Sequence, residues 1–403
     1  MMDIRAKRNA RLLLWMLSAM AVAGGLGVAH ALEAAKQSKE TRDGLEVQSA
    51  RAKVVAEKAK LTHYDKNYFD LSSLPDYRPE TTVAGELRLW GNNYLADSPL
   101  GKYWEDGFRK HHPQIRFDYS GLKTAHVAIA GLYTGKADLA PSRHITFVEI
   151  EAFERMFGYS PTEIVMATGS FNVTGWLPAY SIVVHKDNPL AKISMQQLDG
   201  IFGTARDGGW NGTTWELSAA RGTDKSIRTW GALGLTGEWR DKPINIYGIN
   251  LRYNDTREFE RKVFNGGDKW NENLREYANY AKADGSIAVS AGELIKDLSR
   301  DRYGMAWSGM QHLTSETKAL PLAAKEGGPY VELTIDSVRD HEYPLYCEVY
   351  IYINRAPGQP VDPKVKEYLR YVLSRQGQEA IARDGKYLPL TAQMIQAELK
   401  KLQ

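Results

Sequence analysis

The chain has 403 residues, 43% of them hydrophobic and 25% charged, and a formal net charge of +3. That composition excludes a disordered chain, and the length fills two or three domains. Lys and Arg are spread along the sequence instead of gathered in one tract, which argues against a nucleic-acid footprint and leaves only a mild pull on anions.

Residues 2–31 read as an export signal. Arg5, Lys7, Arg8 and Arg11 form a positive n-region, Leu12 to Val28 an apolar stretch, and Ala29-His30-Ala31 a small-x-small cleavage site. The alternative is a retained membrane anchor, since the apolar run approaches the length of a span. Gly24, Gly25, Gly27 and the Ala-x-Ala ending favour cleavage, so domain 1–31 is expected to be a signal peptide and the mature chain to start at Leu32 in the periplasm. No later apolar run is long enough to span a bilayer. The single cysteine, Cys347, excludes an intramolecular disulfide and lies far from the signal, so lipid anchoring is not expected.

Residues 32–84 are expected to form a partly helical N-terminal extension outside the core: charged and Ala-rich to about Lys60, then rich in Tyr, Pro and Asp. A solvated arm and a docking element are both open for it. From Gly85 the pattern changes to short β runs separated by amphipathic stretches. Glu86 to Trp90 alternates as a strand, Leu100 to His111 is helical with His111-His112 closing an exposed end, and Ile115 to Tyr119 is a second strand. A helix near 125–133, a strand at 137–140, a helix at 146–156 and strands at 164–167 and 180–185 follow. A second alternating block runs through a helix at 194–202, a strand at 215–218, helices at 224–233 and 270–280, and strands near 286–289 and 304–307. The chain ends in a long strand at 345–353 and helices at 362–375 and 376–383. Alternation of this kind predicts an α/β fold with a largely parallel sheet.

Four segments offer anion chemistry. Arg221-Gly222-Thr223-Asp224 lies before a predicted helix, where a glycine admits close backbone approach, Thr223 caps or donates, and helix amides point at an anion. Arg221 adds a planar charged fork. In 135–143, Asp138 is placed at or near the carboxyl end of a strand, the edge where open α/β sheets bind ligands, and Pro141-Ser142-Arg143 forms the following turn. An ionised carboxylate only accepts hydrogen bonds, so Asp138 suits an oxyanion that still carries a proton and repels one that does not. The loops Gly91 to Leu95 and Gly121 to Thr124 follow the first two strands. Each of these segments is also ordinary turn or capping chemistry.

In this order the segments resemble the phosphate-binding proteins of bacterial ABC transporters, with the class II periplasmic binding fold, over residues 85–392. The resemblance rests on Gly135-Lys-Ala-Asp-Leu-Ala-Pro-Ser-Arg143, Val184 to Leu190 with Gln197 to Phe202, Arg221-Gly-Thr223, Tyr343-Pro-Leu345, Tyr371 to Ser374 with Gly377-Gln378, and Gly385 to Leu390. It implies two α/β domains, one discontinuous (85–178 and 341–403) and one at 179–340, joined by two crossover strands and closing on inorganic phosphate. It implies ligand contacts from Tyr94, Leu95, Thr124, Asp138, Ser142, Arg143, Arg221, Gly222 and Thr223, with Asp138 as the proton-accepting carboxylate and Thr124 or Lys123 as the donor after the second strand. The sequence departs from the family's Gly-Ser-Gly-Thr loop, since Arg221 takes the place of its Ser and Leu217 that of its upstream Arg. Expected partners are phosphate and an inner-membrane ABC permease, with no cofactor, no nucleic acid and a monomeric state. An exported phosphatase on the same fold, a binder of another tetrahedral oxyanion and a sensory or interaction protein are the alternatives; no metal-ligand spacing favours an enzyme.

Overall fold

The computed structural model describes residues 64–173, 176–281 and 287–403. The expected signal at 1–31, and residues 32–63 of the expected extension, lie outside them.

Two separate sheets organise the described chain. The first has the spatial order Ile115–Leu122, Gly85–Gly91, Ala140–Ser142, Glu348–Ile353, Thr162–Thr168, with Leu89 bridged to Leu139 where its two hydrogen-bonded groups meet. Gly85–Gly91 is parallel to Ile115–Leu122, and the late strand Glu348–Ile353 is antiparallel to both its neighbours. The second sheet has the order Arg275–Tyr277, Asn245–Ile249, Gly304–Gly309, Tyr180–His185, Thr317–Leu320. Its first three strands are parallel, and Tyr180–His185 is antiparallel to Gly304–Gly309. This is an α/β fold in which a strand from near the end of the chain completes the sheet begun by its first quarter.

That return makes the chain pass twice between the sheets, and the two passing segments are bonded to each other. Gly169 N donates to Cys347 O at 2.8 Å, Tyr180 N to Leu345 O at 3.0 Å, and the Tyr343 hydroxyl to Tyr180 O at 3.0 Å. Cys347 is buried there, its thiol against Pro178 O at 3.6 Å, and burial pushes its ionisation up. It is an inert packing group, as an apolar strand position suggests.

The elements follow from local pattern. In Gly85–Gly91 the alternation places Leu87 and Leu89 in the core, while Tyr180–His185 and Gly304–Gly309 are buried at every position, as central strands covered on both faces are. Helix Leu100–Arg109 buries Leu100, Trp104 and Phe108, each 0% exposed, at i, i+4 and i+8. Each such side chain contributes about 1.5–3 kcal/mol. Trp104 also donates its indole N–H to Gly377 O at 2.9 Å, which fixes this helix on Arg375–Asp384.

Several expectations are corrected. The third strand is Ala140–Ser142, not 137–140. The helix expected at 224–233 is two short 3-10 turns, Thr223–Lys225 and Trp230–Leu233, interrupted where Ser226 is extended and Ile227 N bonds Gly200 O at 2.9 Å, and ended where Gly234 takes φ +87°. The stretch 270–280 is extended, with strand Arg275–Tyr277, because Asn271 side-chain bonds to Ile201 O and to Asn273 N compete with helix formation. A helix not foreseen, Asn254–Val263, stands in the second half. His112 is fully buried rather than on an exposed helix end, held by the Tyr77 hydroxyl at 2.6 Å and by Val83 N at 3.2 Å.

The described part of the extension, residues 64–84, is not outside the core. Tyr64, Phe69, Leu71, Leu74, Tyr77 and Val83 are buried in it. The Tyr77 hydroxyl donates at 2.6 Å to Glu367, which is 1% exposed, and Arg375 N donates to Pro75 O at 2.8 Å. Tyr and Pro there read as linker composition, yet the aromatic rings supply the apolar surface that docks the segment.

Candidate functional site

The carboxyl ends of three parallel strands of the first sheet converge at Gly91, Leu122 and Ser142. Gly91 has φ +148°, and a Cβ there would lie 2.1 Å from Pro141 O, so only glycine lets these strand ends come together. Asn92 N bonds Pro141 O at 2.8 Å and Lys123 N bonds Gly91 O at 2.9 Å, tying the three loops into one platform.

On this platform Ser142 is 0% exposed and its Oγ has no hydrogen-bond partner. Arg143, 4% exposed, donates Nη1 to His144 O at 2.7 Å and to Glu149 Oε2 at 3.1 Å, and its Nη2 is 3.3 Å from His126 Nδ1, but its Nε is buried without a partner. Glu149 is positioned by a capping box at the start of helix Phe147–Phe157: its Oε2 takes both the amide and the hydroxyl of Thr146 at 2.8 Å. Its Oε1 is buried and unpaired. Here, then, are one donor-only atom, one acceptor-only atom and one hydroxyl able to do either, each bearing the cost of desolvation of about 1–3 kcal/mol unless a further group arrives.

Arg143 also lines a cleft of about 380 Å³ whose other wall comes from the second half of the chain: Trp210 and Gly212, and Asn254, Arg257, Glu258 and Arg261 of the unforeseen helix. That helix is anchored by Thr256, whose hydroxyl bonds Ile249 O and Asn250 O, and by buried Phe259, which stacks on Trp307 at 5.0 Å. The arginines of the cleft carry their own carboxylates: Arg257 pairs with Glu260 at 2.9 Å and Arg261 with Glu258. Burial raises Glu258, but Arg261 outweighs it and holds the carboxyl below its usual range. Burial, helped by Arg261, pushes His144 down to about 4, and burial takes Lys262 to about 8 despite Glu258 nearby.

The residues singled out from sequence divide. Ser142 and Arg143 stand at the platform. Thr124 is exposed at the neighbouring loop and caps the turn that carries His126 to Arg143. Tyr94 and Leu95 are 2% exposed and belong to the core beneath it, with the Tyr94 hydroxyl on Ser142 O at 3.1 Å.

Asp138 precedes its strand instead of ending it. Both its oxygens are taken by Arg88: Oδ2 by the amide at 2.9 Å and Nε at 3.0 Å, Oδ1 by Nη2 at 2.7 Å. Arg221 lies on the second half, 3.2 Å from Asp199, which also binds Arg206 through both oxygens, while Gly222 and Thr223 are exposed in a 3-10 turn. None of 221–223 lines the cleft, nor do Ser142 and Glu149, and Arg221 Nε and Nη2 are, like Arg143 Nε, buried without a hydrogen-bond partner. Asp138 and Arg221 thus each stand beside a charged partner of their own, outside the lining of this cleft. Glu149, Arg257, Glu258 and Arg261 were missed. The Thr146-x-x-Glu149 capping box was the available signal for the first of them.

Among the described residues no group of three or more His, Cys, Asp or Glu is arranged to hold a metal ion, and no helix is long and apolar enough to cross a membrane.

Residues 80–376 match the PBP superfamily domain. The phosphate-binding protein PstS of Pseudomonas aeruginosa, in strains PAO1 and UCBPP-PA14, is 32% identical over 333 residues, which cover 82% of this chain and 91% of the relative. The chain thus belongs to the PBP superfamily and, within it, to the family of phosphate-binding protein PstS. Among solved structures, PstS from Borrelia burgdorferi is similar at 15% identity and TM-score 0.48, covering 76% of this chain and 99% of that one. An ABC-type phosphate transport receptor from Vibrio cholerae is similar at 15% identity and TM-score 0.45, over 75% and 99%.

Proposed function

We propose that the chain captures phosphate in the cleft between its two sheets and presents it to an ABC uptake transporter. The observation that carries this reading is the set of buried unpaired atoms at the platform, Arg143 Nε, Ser142 Oγ and Glu149 Oε1. A monohydrogen phosphate has the complementary groups: oxygens to accept from Arg143 and Ser142, and a hydroxyl to donate to Glu149. Glu149 thereby takes the proton-accepting role first sought in Asp138. Sulfate, which carries no proton, meets the Glu149 carboxylate as a bare like charge. Thr124, with Lys123 and His126, is the adjacent source of further donors. Membership of a family whose relatives are named phosphate-binding proteins agrees with this.

Residues 85–178 with 341–403 act as one lobe and 179–340 as the other, and closure about the paired crossing segments brings Arg257 and Arg261 toward the anion. The protein works as a periplasmic monomer after removal of residues 1–31, delivers to a membrane permease and performs no catalysis. Calorimetric titration with phosphate, sulfate and arsenate tests the reading. Ser142→Ala is expected to weaken phosphate at least 10-fold, and Glu149→Gln to reduce the preference for phosphate over sulfate. Phosphate heats unchanged in both variants refute the site.

A further inference from the structure

We infer that the same cleft also takes a phosphoryl group bearing one apolar organic substituent, a phosphate monoester or a phosphonate, with the substituent held against the paired rings of Phe147 and Trp210. This rests on the phosphate reading for its anchor and extends it from the ion to a class of ligand.

Size is the first argument. The cleft measures about 380 Å³, whereas a phosphate ion occupies roughly two to three times the about 30 Å³ share of a water. Of the anchor residues Arg143 lines this cleft, and a phosphoryl group held at it leaves most of the space over. A cleft of several hundred cubic ångströms with one charged wall and one apolar wall has room for an organic molecule beside its charged head.

The walls are the second argument. Ile145, Phe147, Val148 and Ile150 line it from the first sheet's side, and Trp210 from the other. Phe147 and Trp210 meet at 4.5 Å between ring centres. Trp210 belongs to a hairpin, Gly209–Asn211 with Thr214–Glu216, whose turn is set by Gly212 at φ +59°. The hairpin reaches the first lobe's helix, where Thr213 Oγ1 donates to Glu154 Oε2 at 2.8 Å, and Trp210 N is held by Gly266 O at 3.3 Å. Yet Trp210 is 41% exposed and Trp215 behind it 45%. Two tryptophans kept half in water at a cleft mouth retain apolar surface that a substituent would cover.

Charge is the third argument. Arg143, Arg257 and Arg261 are each matched by a carboxylate of the same wall, at 3.1 Å for Glu149 and 2.9 Å for Glu260, with Glu258 beside Arg261. Arg143 Nε is the cleft's unpartnered buried donor. The cleft so equipped holds one phosphoryl head and has no second cationic pocket for another anionic end, which excludes bisphosphates and phosphorylated acids.

The test is calorimetry on the mature chain with three probes: inorganic phosphate, methylphosphonate and phenyl phosphate. Phenyl phosphate is expected to bind in a Ser142-dependent way, to lose at least 10-fold in affinity in the Phe147→Ala/Trp210→Ala double variant, and to keep its affinity in Trp210→Phe, which preserves the wall. Inorganic phosphate is expected to change less than 2-fold in both aromatic variants. Should phosphate bind through Ser142 while phenyl phosphate is excluded, or while its affinity ignores Phe147 and Trp210, the inference fails and the phosphate reading survives. If no probe gives a Ser142-dependent heat, both fall together. Far-ultraviolet circular dichroism of each variant separates loss of binding from loss of fold.

Discussion

Asp138 and Ser142 are four residues apart in one segment, and their surroundings give them opposite tasks. Asp138 is saturated: burial raises its ionisation, but the hydrogen bonds and charge of Arg88 overcome this and hold the carboxyl below its ordinary value. Its stabilising effect is present above the ordinary carboxylate range and is lost as pH falls through the depressed folded value. Asp138→Asn is therefore expected to cost about 1 kcal/mol in urea unfolding at pH 7, discounted because the Arg88 side chain is 36% exposed, and to leave the choice between phosphate and sulfate unchanged. A change in that choice returns Asp138 to the site. The sequence pattern places the strand end at 140, and the structure moves it to 142, so that Ser142 rather than Asp138 stands at the carboxyl end. Ser142 and Arg143 were legible as a turn after a strand. Glu149 was not singled out, since a capping glutamate looks the same whether or not its second oxygen is spoken for. The Arg221 loop carries anion chemistry written locally too: its arginine stands 3.2 Å from Asp199, yet its Nε and Nη2 are buried without a hydrogen-bond partner.

At the scale of elements, the strongly periodic pieces were legible: the strand at 85–91, the helix with Trp104 and Phe108, and the closing helices, where Asp362 caps with Pro363 at the first turn. Helix Asn254–Val263 was missed because its inward face is only Thr256, Phe259, Glu260 and Val263, a stripe in which two of four members are polar. The segment at 64–84 was missed for the opposite reason: its apolar residues are aromatic, follow no period, and become a core element only against helices Pro363–Val372 and Arg375–Asp384. Its weight can be measured. Deleting residues 32–84 exposes the surface under six buried side chains and strips the Tyr77 hydroxyl and Glu80 amide from Glu367. At about 1.5–3 kcal/mol for each large apolar side chain, the loss amounts to several kcal/mol, enough to lower the urea midpoint steeply. Tyr77→Phe isolates the polar part and is expected to cost about 1–2 kcal/mol, since it leaves a nearly inaccessible carboxylate short of a donor. A truncated chain as stable as the whole would show that the segment only rests on the surface.

For the whole molecule, the decisive feature is that the two sheets are joined through two bonded crossing segments and a charged cleft, so that anything adding charge at this junction strains both halves. His341 lies on the returning segment. Its Nε2 is 2.9 Å from the hydroxyl of Thr168 at the end of a first-sheet strand, and its ring stacks on Tyr346 at 3.8 Å. Glu348, at 3.9 Å, favours its protonation, but burial and Lys262 oppose it, and it is pushed down to about 4. His144, in the cleft, reaches about 4 through burial and the opposing charges of Arg261 and Arg143, although Glu258 and Glu348 act the other way. An unfolded histidine takes its proton near 6.5. Between pH 6.5 and 4 the unfolded chain therefore binds protons that the folded chain refuses, and stability is lost as pH falls through that window. The loss is about 2 kcal/mol for each histidine at pH 5. The stability lost between pH 7 and pH 5 is expected to shrink by about 2 kcal/mol in His341→Gln or in His144→Gln and by about twice that in the double variant, with His112 and His312, also lowered by burial, left in place. Asp138 gives up its contribution only below its depressed value, whereas burial raises Glu163, Glu260 and Glu398, which act against the histidines as pH falls, so the histidine part is read as the difference between each variant and the intact protein. An unchanged slope in the double variant would remove them as its cause.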